Sequence, residues 1–356
     1  MRPEPYPTHP APDGAARELP RRIALVTDAW RPQVNGVVTT LTRVSEELQQ
    51  LGRELLHVTP GQFHTVPCPT YPSIRLALLP GTALARALDR FGPDAIHVAT
   101  EGPLGHAARR YCLHRGLPFT TAFHTQFPEY VRARAPVPID WTYSYLRRFH
   151  GAARRTFVGT PAVRDRLERH GFRNLILWSR GVDHALFRPR GKAAIDAPRP
   201  ISLYVGRVAV EKNIEAFLDL DIPGTKVVIG EGPDRARLQA RYGQVRFLGQ
   251  KLGEDLAEHV SAADVFVFPS LTDTFGIVML EAMACGVPVA AFPVPGPLDV
   301  VADGVSGVLD TDLGAAVAAA LRLDPDRCVR YAGGFSWRSV AETFLGGLAP
   351  IPDHAP

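Results

Sequence analysis

Twice in succession along this chain, short apolar runs alternate with stretches whose apolar residues recur at helical spacing. This doubled alternation restricts the chain to parallel-sheet α/β folds. In the first series, Arg22 to Thr27 (RIALVT) reads as a buried strand, followed by a polar loop from Asp28 to Gly36. A helix is predicted from Val37 to Leu51, stopped by Gly52, with a second strand from Leu55 to Thr59. The pattern continues with strands at Ala95 to Val98, Pro118 to Ala122, Thr156 to Val158 and Leu175 to Trp178. Helices are predicted between them at Gly105 to Arg115, Tyr143 to Arg155 and Ala162 to His170.

The composition changes between Phe187 and Pro200 (FRPRGKAAIDAPRP), which marks a linker. A second series starts at once, with strands at Ile201 to Val205, Lys226 to Ile229, Val245 to Leu248, Val265 to Pro269, Val287 to Ala291 and Gly307 to Leu309. One helix starts at Asn213 and another follows Pro233. The expectation is a tail over 1–20, one Rossmann-like domain over 21–186 and a second over 187–335. The helix at 336–348 comes after the second sheet is complete and is placed to return to the first domain. Parallel sheets of this kind bind ligands at the carboxyl ends of their strands, and two facing sheets make a cleft.

Length and composition agree. The 356 residues suffice for two domains, and 46% apolar with 21% charged is ordinary for globular proteins. No apolar run reaches the roughly 18 residues of a membrane-spanning helix. The first 20 residues lack the apolar core of a secretory signal, so a cytoplasmic location is expected. Cys68, Cys112, Cys285 and Cys328 are scattered without metal-ligand spacing. Charge is unevenly spread. Arg21 to Asp183 holds 22 Arg and no Lys against 12 Asp and Glu, a net of +10, whereas the whole chain is +4. A basic first half favours an anionic partner.

The segment Phe268 to Pro288 (FPSLTDTFGIVMLEAMACGVP) concentrates the chemistry. A strand ends, a polar turn presents Asp273 and Thr274, and Phe275-Gly276 opens a helix whose first amides can hold an anion. Glu281 is a carboxylate in an otherwise apolar helix, where a charge needs a partner or a ligand. Upstream, Gly206-Arg207 and Glu211-Lys212-Asn213 put two cations on the turn after a strand, as a phosphate clamp would. Lys212 is one of four lysines, with Lys192, Lys226 and Lys251. His124 follows a strand at its carboxyl end. Gly36 opens a helix, but its loop is not a dinucleotide-binding GxGxxG fingerprint. Asp219-Leu220-Asp221 reads as a surface turn rather than a metal-holding pair, and no metal and no cofactor is expected.

The stretch from Gln126 to Arg155 interleaves aromatics with arginines, including Tyr130, Arg132, Arg134, Trp141, Tyr143, Tyr145, Arg147 and Arg148. It suits either an anionic membrane surface or a core-facing helix with a basic outer face. No nucleic-acid motif accompanies it.

The acidic-x7-Glu pattern around Phe275-Gly276, with matching motifs in both halves from Arg22 to about Leu348, resembles the signature of the family-4 retaining glycosyltransferases. That resemblance implies the GT-B fold, two Rossmann-like domains facing a central cleft, and transfer of a sugar from a nucleotide-sugar donor. It assigns Arg207 and Lys212 to the donor diphosphate and Asp273, usually Glu in the family, to the donor sugar. Glu281 would bind the ribose hydroxyls, and the amides of Phe275, Gly276 and Ile277 the sugar and phosphates. His124 would contact the donor sugar, and Gly36 the donor or an anionic acceptor headgroup. Glu231 matches a further family position, and Phe247 and Leu248 would line the base pocket. Retention without a protein nucleophile implies front-face departure of the diphosphate. The overall look is similar to members that glycosylate diacylglycerol or mannosylate lipid anchors, which implies a lipid acceptor at the inner membrane face, with Arg132, Arg134, Tyr143, Arg147 and Arg148 near it. UDP-glucose, UDP-glucuronate and GDP-mannose remain open as donors. A soluble saccharide acceptor, a nucleotide-sugar epimerase on the same fold and a non-enzymatic sugar-nucleotide sensor are the competing readings.

Overall fold

A computed structural model describes residues 19–68, 71–132 and 137–352. The chain forms two compact α/β units. One holds residues 19–128, 137–179 and 337–352, and the other holds 129–132 and 180–336. The expected tail falls almost wholly outside the described residues, as does Arg134.

In chain order the strands of the N-terminal half are β1 (Arg22–Val26), β2 (Glu54–Val58), β3 (Thr65–Cys68), β4 (Tyr71–Ala77), β5 (Ala95–Val98), β6 (Thr120–Phe123), β7 (Arg155–Val158) and β8 (Leu175–Leu177). Six of them make a parallel sheet in the order β2-β1-β5-β6-β7-β8. The antiparallel hairpin β3-β4 stands apart from it. The second unit has β9 (Ile201–Val205), β10 (Thr225–Ile229), β11 (Arg246–Phe247), β12 (Val265–Phe268), β13 (Val289–Ala291) and β14 (Gly307–Leu309), parallel in the order β11-β10-β9-β12-β13-β14.

These strands read as unbroken apolar runs because helices cover both faces of such a sheet. β5, β9 and β12 are buried at every residue. In each sheet successive strands first extend one way and then the other. The reversal falls between β1 and β5 in the first sheet and between β9 and β12 in the second. Crevices at such reversals are where open α/β sheets bind ligands.

The helix Trp337–Gly347 belongs to the first unit, where it packs along the helix Gly36–Gln50. Its Phe344 is fully buried, with ring centroids 4.9 Å from both His97 and Trp178 and 5.2 Å from Phe157. Trp178 Nε1 donates to Val340 O at 3.1 Å. Burying an aromatic of this size contributes about 3 kcal/mol, enough to fix the helix against the sheet.

The structure departs from the sequence reading in several places. No long helix starts at Asn213. That residue adopts a left-handed conformation (φ 50°) after a short 3-10 turn, Val210–Lys212, and only the brief helix Glu215–Leu218 follows. The hairpin β3-β4 and the helices Gly81–Phe91, Gly253–Ala262, Leu313–Ala320 and Pro325–Ala332 also fill stretches to which the sequence had assigned no element. The second compact unit takes up the chain at Arg180, ahead of the expected linker. Within that linker Lys192 donates to the carbonyls of Ser261 and Ala263, at the end of the helix Gly253–Ala262. A cation against these terminal carbonyls complements the helix dipole and holds the segment to the second unit.

Candidate functional site

The strongest chemistry lies in the second unit, at the reversal between β9 and β12. The turns leaving β9, β10 and β11 are laced by their backbones. Gly206 N donates to Ile229 O (3.0 Å), Val208 N to Glu231 O (2.9 Å) and Gly230 N to Gly249 O (2.8 Å). A Cβ on Gly230 would lie 1.9 Å from Gly206 O, so only glycine permits this approach. Tyr204, buried in β9, donates its hydroxyl to Arg207 O at 2.8 Å and fixes the turn that carries Arg207.

Beyond that turn, Asn213 Nδ2 donates to Pro269 O (3.1 Å) and Thr272 Oγ1 to Glu211 O (3.1 Å). These two bonds tie the loop after β9 to the loop after β12. They bring Lys212 Nζ to 2.5 Å from Asp273 Oδ1, with side chains only 19% and 16% exposed. Burial alone would lower the Lys212 pKa. The Asp273 carboxylate, with the phenols of Tyr130 and Tyr204, outweighs it and raises the pKa above the ordinary lysine value, so Lys212 is a cation at neutral pH.

The same loop then turns through Gly276 (φ 85°) into the helix Ile277–Ala284. A Cβ at Gly276 would sit 2.7 Å from Met279 Cε and 2.9 Å from the Phe268 ring. No side chain caps this helix start. Its leading amides, those of Gly276, Ile277 and Val278, are therefore placed for an anionic or hydroxyl-bearing ligand. Phe275 is buried, and the guanidinium of Arg180, itself 4% exposed, lies 5.9 Å from its ring centroid. Glu281 is half-buried on a helix whose Met279, Leu280, Ala282, Met283 and Ala284 are all buried.

Other expected donor residues lie at the end of β11 and on the turns after β10 and β11. Glu231 pairs with Arg235, the first residue of the next helix. Leu248 N donates to Val228 O (2.9 Å), and Phe247 is half-buried beside it in β11. Asp219 accepts from the Tyr242 hydroxyl at 2.5 Å at the end of a short helix, as a turn residue would.

In the first unit, Gly36 is exposed at the start of its helix, but Asn35 Oδ1 accepts from Val37 N and Val38 N, each at 3.0 Å. A ligand there would meet a helix start that is already capped. His124 directly follows β6, half-buried, its ring 5.7 Å from that of Trp178. Asp28, 6% exposed, accepts from Leu104 N (2.9 Å), Gly105 N (3.3 Å) and Thr100 Oγ1 (2.9 Å). It caps the helix Pro103–His114 from a distant strand end, a structural role.

The aromatic and basic stretch is divided by helical phase. Tyr143, expected at a surface, is 2% exposed and stacks on His170 with ring centroids 3.6 Å apart. It is a core residue because it shares a face with Leu146 and His150. Arg147 donates to His170 O at 2.8 Å and so braces a helix end. Arg132 and Arg148 are exposed. Within the helix Ile139–His150 the exposed aromatics are Trp141 (73%) and Tyr145 (48%), which with Arg148 follow one of its sides.

Sequence reasoning passed over Tyr204 and Arg180. It named Asn213 only within the clamp segment and Tyr130 only within the aromatic and basic stretch, whereas Asn213 ties two loops together and the Tyr130 phenol lies against Lys212. A tyrosine inside a fully buried strand was the available signal for Tyr204, because its hydroxyl needs a partner.

Two family models match the chain. "Glycosyltransferase Family 4" covers residues 34–186 and "Glycosyl transferases group 1" covers 199–324. The chain is 32% identical to a GDP-mannose-dependent alpha-mannosyltransferase of Mycobacterium tuberculosis, over 81% of this chain and 83% of that one. It is 28% identical to an alpha-monoglucosyldiacylglycerol synthase of Streptococcus pneumoniae, over 86% and 79%. Its fold is similar to that of a sucrose-phosphate synthase from Thermosynechococcus elongatus, with a TM-score of 0.72 at 22% identity, over 91% of this chain and 97% of that one. Two parallel-sheet units of this form are the GT-B fold, and with these matches in both halves the chain belongs to the family-4 glycosyltransferases.

Proposed function

We propose that this glycosyltransferase moves a hexose from a UDP- or GDP-sugar to a hydroxyl of a membrane lipid, with retention of configuration. The observation that carries the donor half of this reading is the Lys212–Asp273 contact at the sheet reversal, beside Arg207 and the uncapped helix start at Gly276. Arg207 and Lys212 hold the diphosphate and stabilise the charge that develops on it as it leaves. Asp273 and the amides of Phe275, Gly276 and Ile277 orient the sugar, and Glu281 binds the ribose hydroxyls. His124 contacts the sugar. No carboxylate is assigned as nucleophile, so the acceptor hydroxyl enters on the face from which the diphosphate departs. With two side-chain cations in place, the leaving group needs no metal, and turnover is expected to survive EDTA.

The lipid half rests on two supports. One relative is named an alpha-monoglucosyldiacylglycerol synthase. The helix Ile139–His150 presents Trp141, Tyr145 and Arg148 to solvent, an aromatic and basic face suited to an anionic bilayer surface. Among the described residues no helix is long and apolar enough to cross a membrane.

The deciding experiment is nucleotide release from GDP-mannose, UDP-glucose and UDP-glucuronate, with and without dioleoylglycerol in phosphatidylglycerol vesicles. Lipid-dependent release from one donor, with an α-linked product by NMR, is the expected result. Release driven only by a soluble saccharide would replace the lipid acceptor. Consumption of donor with no acceptor at all would point to an epimerase.

A further inference from the structure

The first unit contains a chain of buried polar side chains that none of these roles uses. Asn174 Nδ2 donates to the carbonyls of His150 and Ala153 (2.9 Å each) and lies 3.1 Å from Thr156 Oγ1. Thr156 Oγ1 is 2.9 Å from Thr121 Oγ1, which is 2.9 Å from His150 Nδ1. His150 Nε2 is 3.0 Å from Glu101 Oε1. Thr121, Thr156 and His150 are all 0% exposed.

The direction of this chain follows from its last member. The Glu101 carboxylate only accepts, so His150 gives it the Nε2 proton. With a neutral imidazole, Nδ1 then accepts from Thr121 Oγ1, and Thr121 accepts from Thr156 Oγ1. Every bond points toward one carboxylate. Buried polar groups are costly unless satisfied, and a fully satisfied network rigidifies what it holds.

Glu101 sits in the loop leaving β5, beside the β1/β5 reversal and next to β6, the strand that His124 follows. It is 25% exposed, open to solvent yet anchored from beneath. The phenol of Tyr145, bonded to His106, lies near enough that the Glu101 carboxylate adds to the effect of burial in raising its pKa. An immobilised carboxylate with a phenol and an imidazole nearby is a set of groups that takes hydroxyls.

The geometry points to Glu101 as an acceptor-binding residue, its carboxylate taking a hydrogen bond from a hydroxyl of an alcohol or sugar acceptor and His150 holding it in place. This inference rests on the glycosyl-transfer reading above. The same hydroxyl chemistry could come from a lipid headgroup or a free glycoside, and the test separates them. Glu101→Gln keeps an oxygen for His150 but loses the charge. Wild type and variant are compared for UDP and GDP affinity, thermal midpoint and nucleotide release from GDP-mannose and UDP-glucose. Release is titrated with dioleoylglycerol in phosphatidylglycerol vesicles and, separately, with methyl α-D-mannoside.

The expected result is a rise of at least about tenfold in KM for whichever acceptor wild type uses, the scale of one hydrogen bond to a charged group. Nucleotide affinity, acceptor-free release and thermal midpoint should stay within twofold or unchanged. An unchanged acceptor KM, or an equal loss of nucleotide affinity, would overturn the role given to Glu101. If neither acceptor stimulates wild type although it binds nucleotide, the acceptor reading itself falls and takes this inference with it.

Discussion

Lys212 and Asp273 sit in a contact that either side chain alone would find costly. Removing one partner leaves the other charge half-buried, so each substitution has a structural and a chemical effect. Lys212→Ala is expected to lower turnover by on the order of 10²- to 10³-fold, as expected for a lost donor to developing transition-state charge. Glu281→Ala should mainly weaken donor binding, seen as a raised donor KM. Wild-type rates in both variants would place the donor elsewhere. Gly276→Ala would force an alanine into φ 85° against Met279 and the Phe268 ring, at a cost of about 1–3 kcal/mol. Urea denaturation measures that cost, and nucleotide titration should show weaker binding alongside it. The acidic and glycine positions of this loop were legible in the sequence because their types are restricted by backbone and charge. The Lys212–Asp273 pairing was not. Two residues 61 positions apart meet only because the bonds of Asn213 and Thr272 bring their loops together.

At the scale of elements, helical phase decides which residues of the 139–150 helix reach solvent. Read as a string, its aromatics and arginines formed one basic stretch. The 3.6-residue period divides them into a buried row with Tyr143, Leu146 and His150 and an exposed row with Trp141, Tyr145 and Arg148. Trp141→Ala should therefore reduce cosedimentation with phosphatidylglycerol vesicles several-fold, and Arg148→Ala should make the remaining binding less sensitive to salt. Tyr143→Ala should instead lower the thermal midpoint. Equal vesicle binding by the Trp141 variant would return this face to ordinary solvent exposure. Strands were more legible than helices. β9 and β14 match their expected bounds because continuous apolar runs between turn residues leave few alternatives. The helix Leu313–Ala320, nearly all alanine and apolar, offers no such contrast between its faces.

Across the molecule, the α/β class followed from the doubled alternation of runs, but the aromatic cluster that closes the first sheet did not. His97 is fully buried there among Phe157, Trp178 and Phe344, with Nδ1 2.9 Å from Thr120 Oγ1, and burial pushes its pKa down to about 3. The folded chain keeps this ring neutral, whereas the unfolded chain protonates it below about pH 6.5. Its contribution to stability is therefore complete above that pH and is lost as the pH falls toward 3. Chemical denaturation between pH 7 and 4 should show a falling midpoint, and His97→Gln should flatten that slope. An unchanged slope would mean that other groups set the acid limit.

The helix Trp337–Gly347 packs in the unit that begins the chain, although the whole second sheet is encoded before it. The surface that covers His97 and Trp178 is thus encoded after every strand of the second sheet, so in synthesis the half that starts first is the last to be finished.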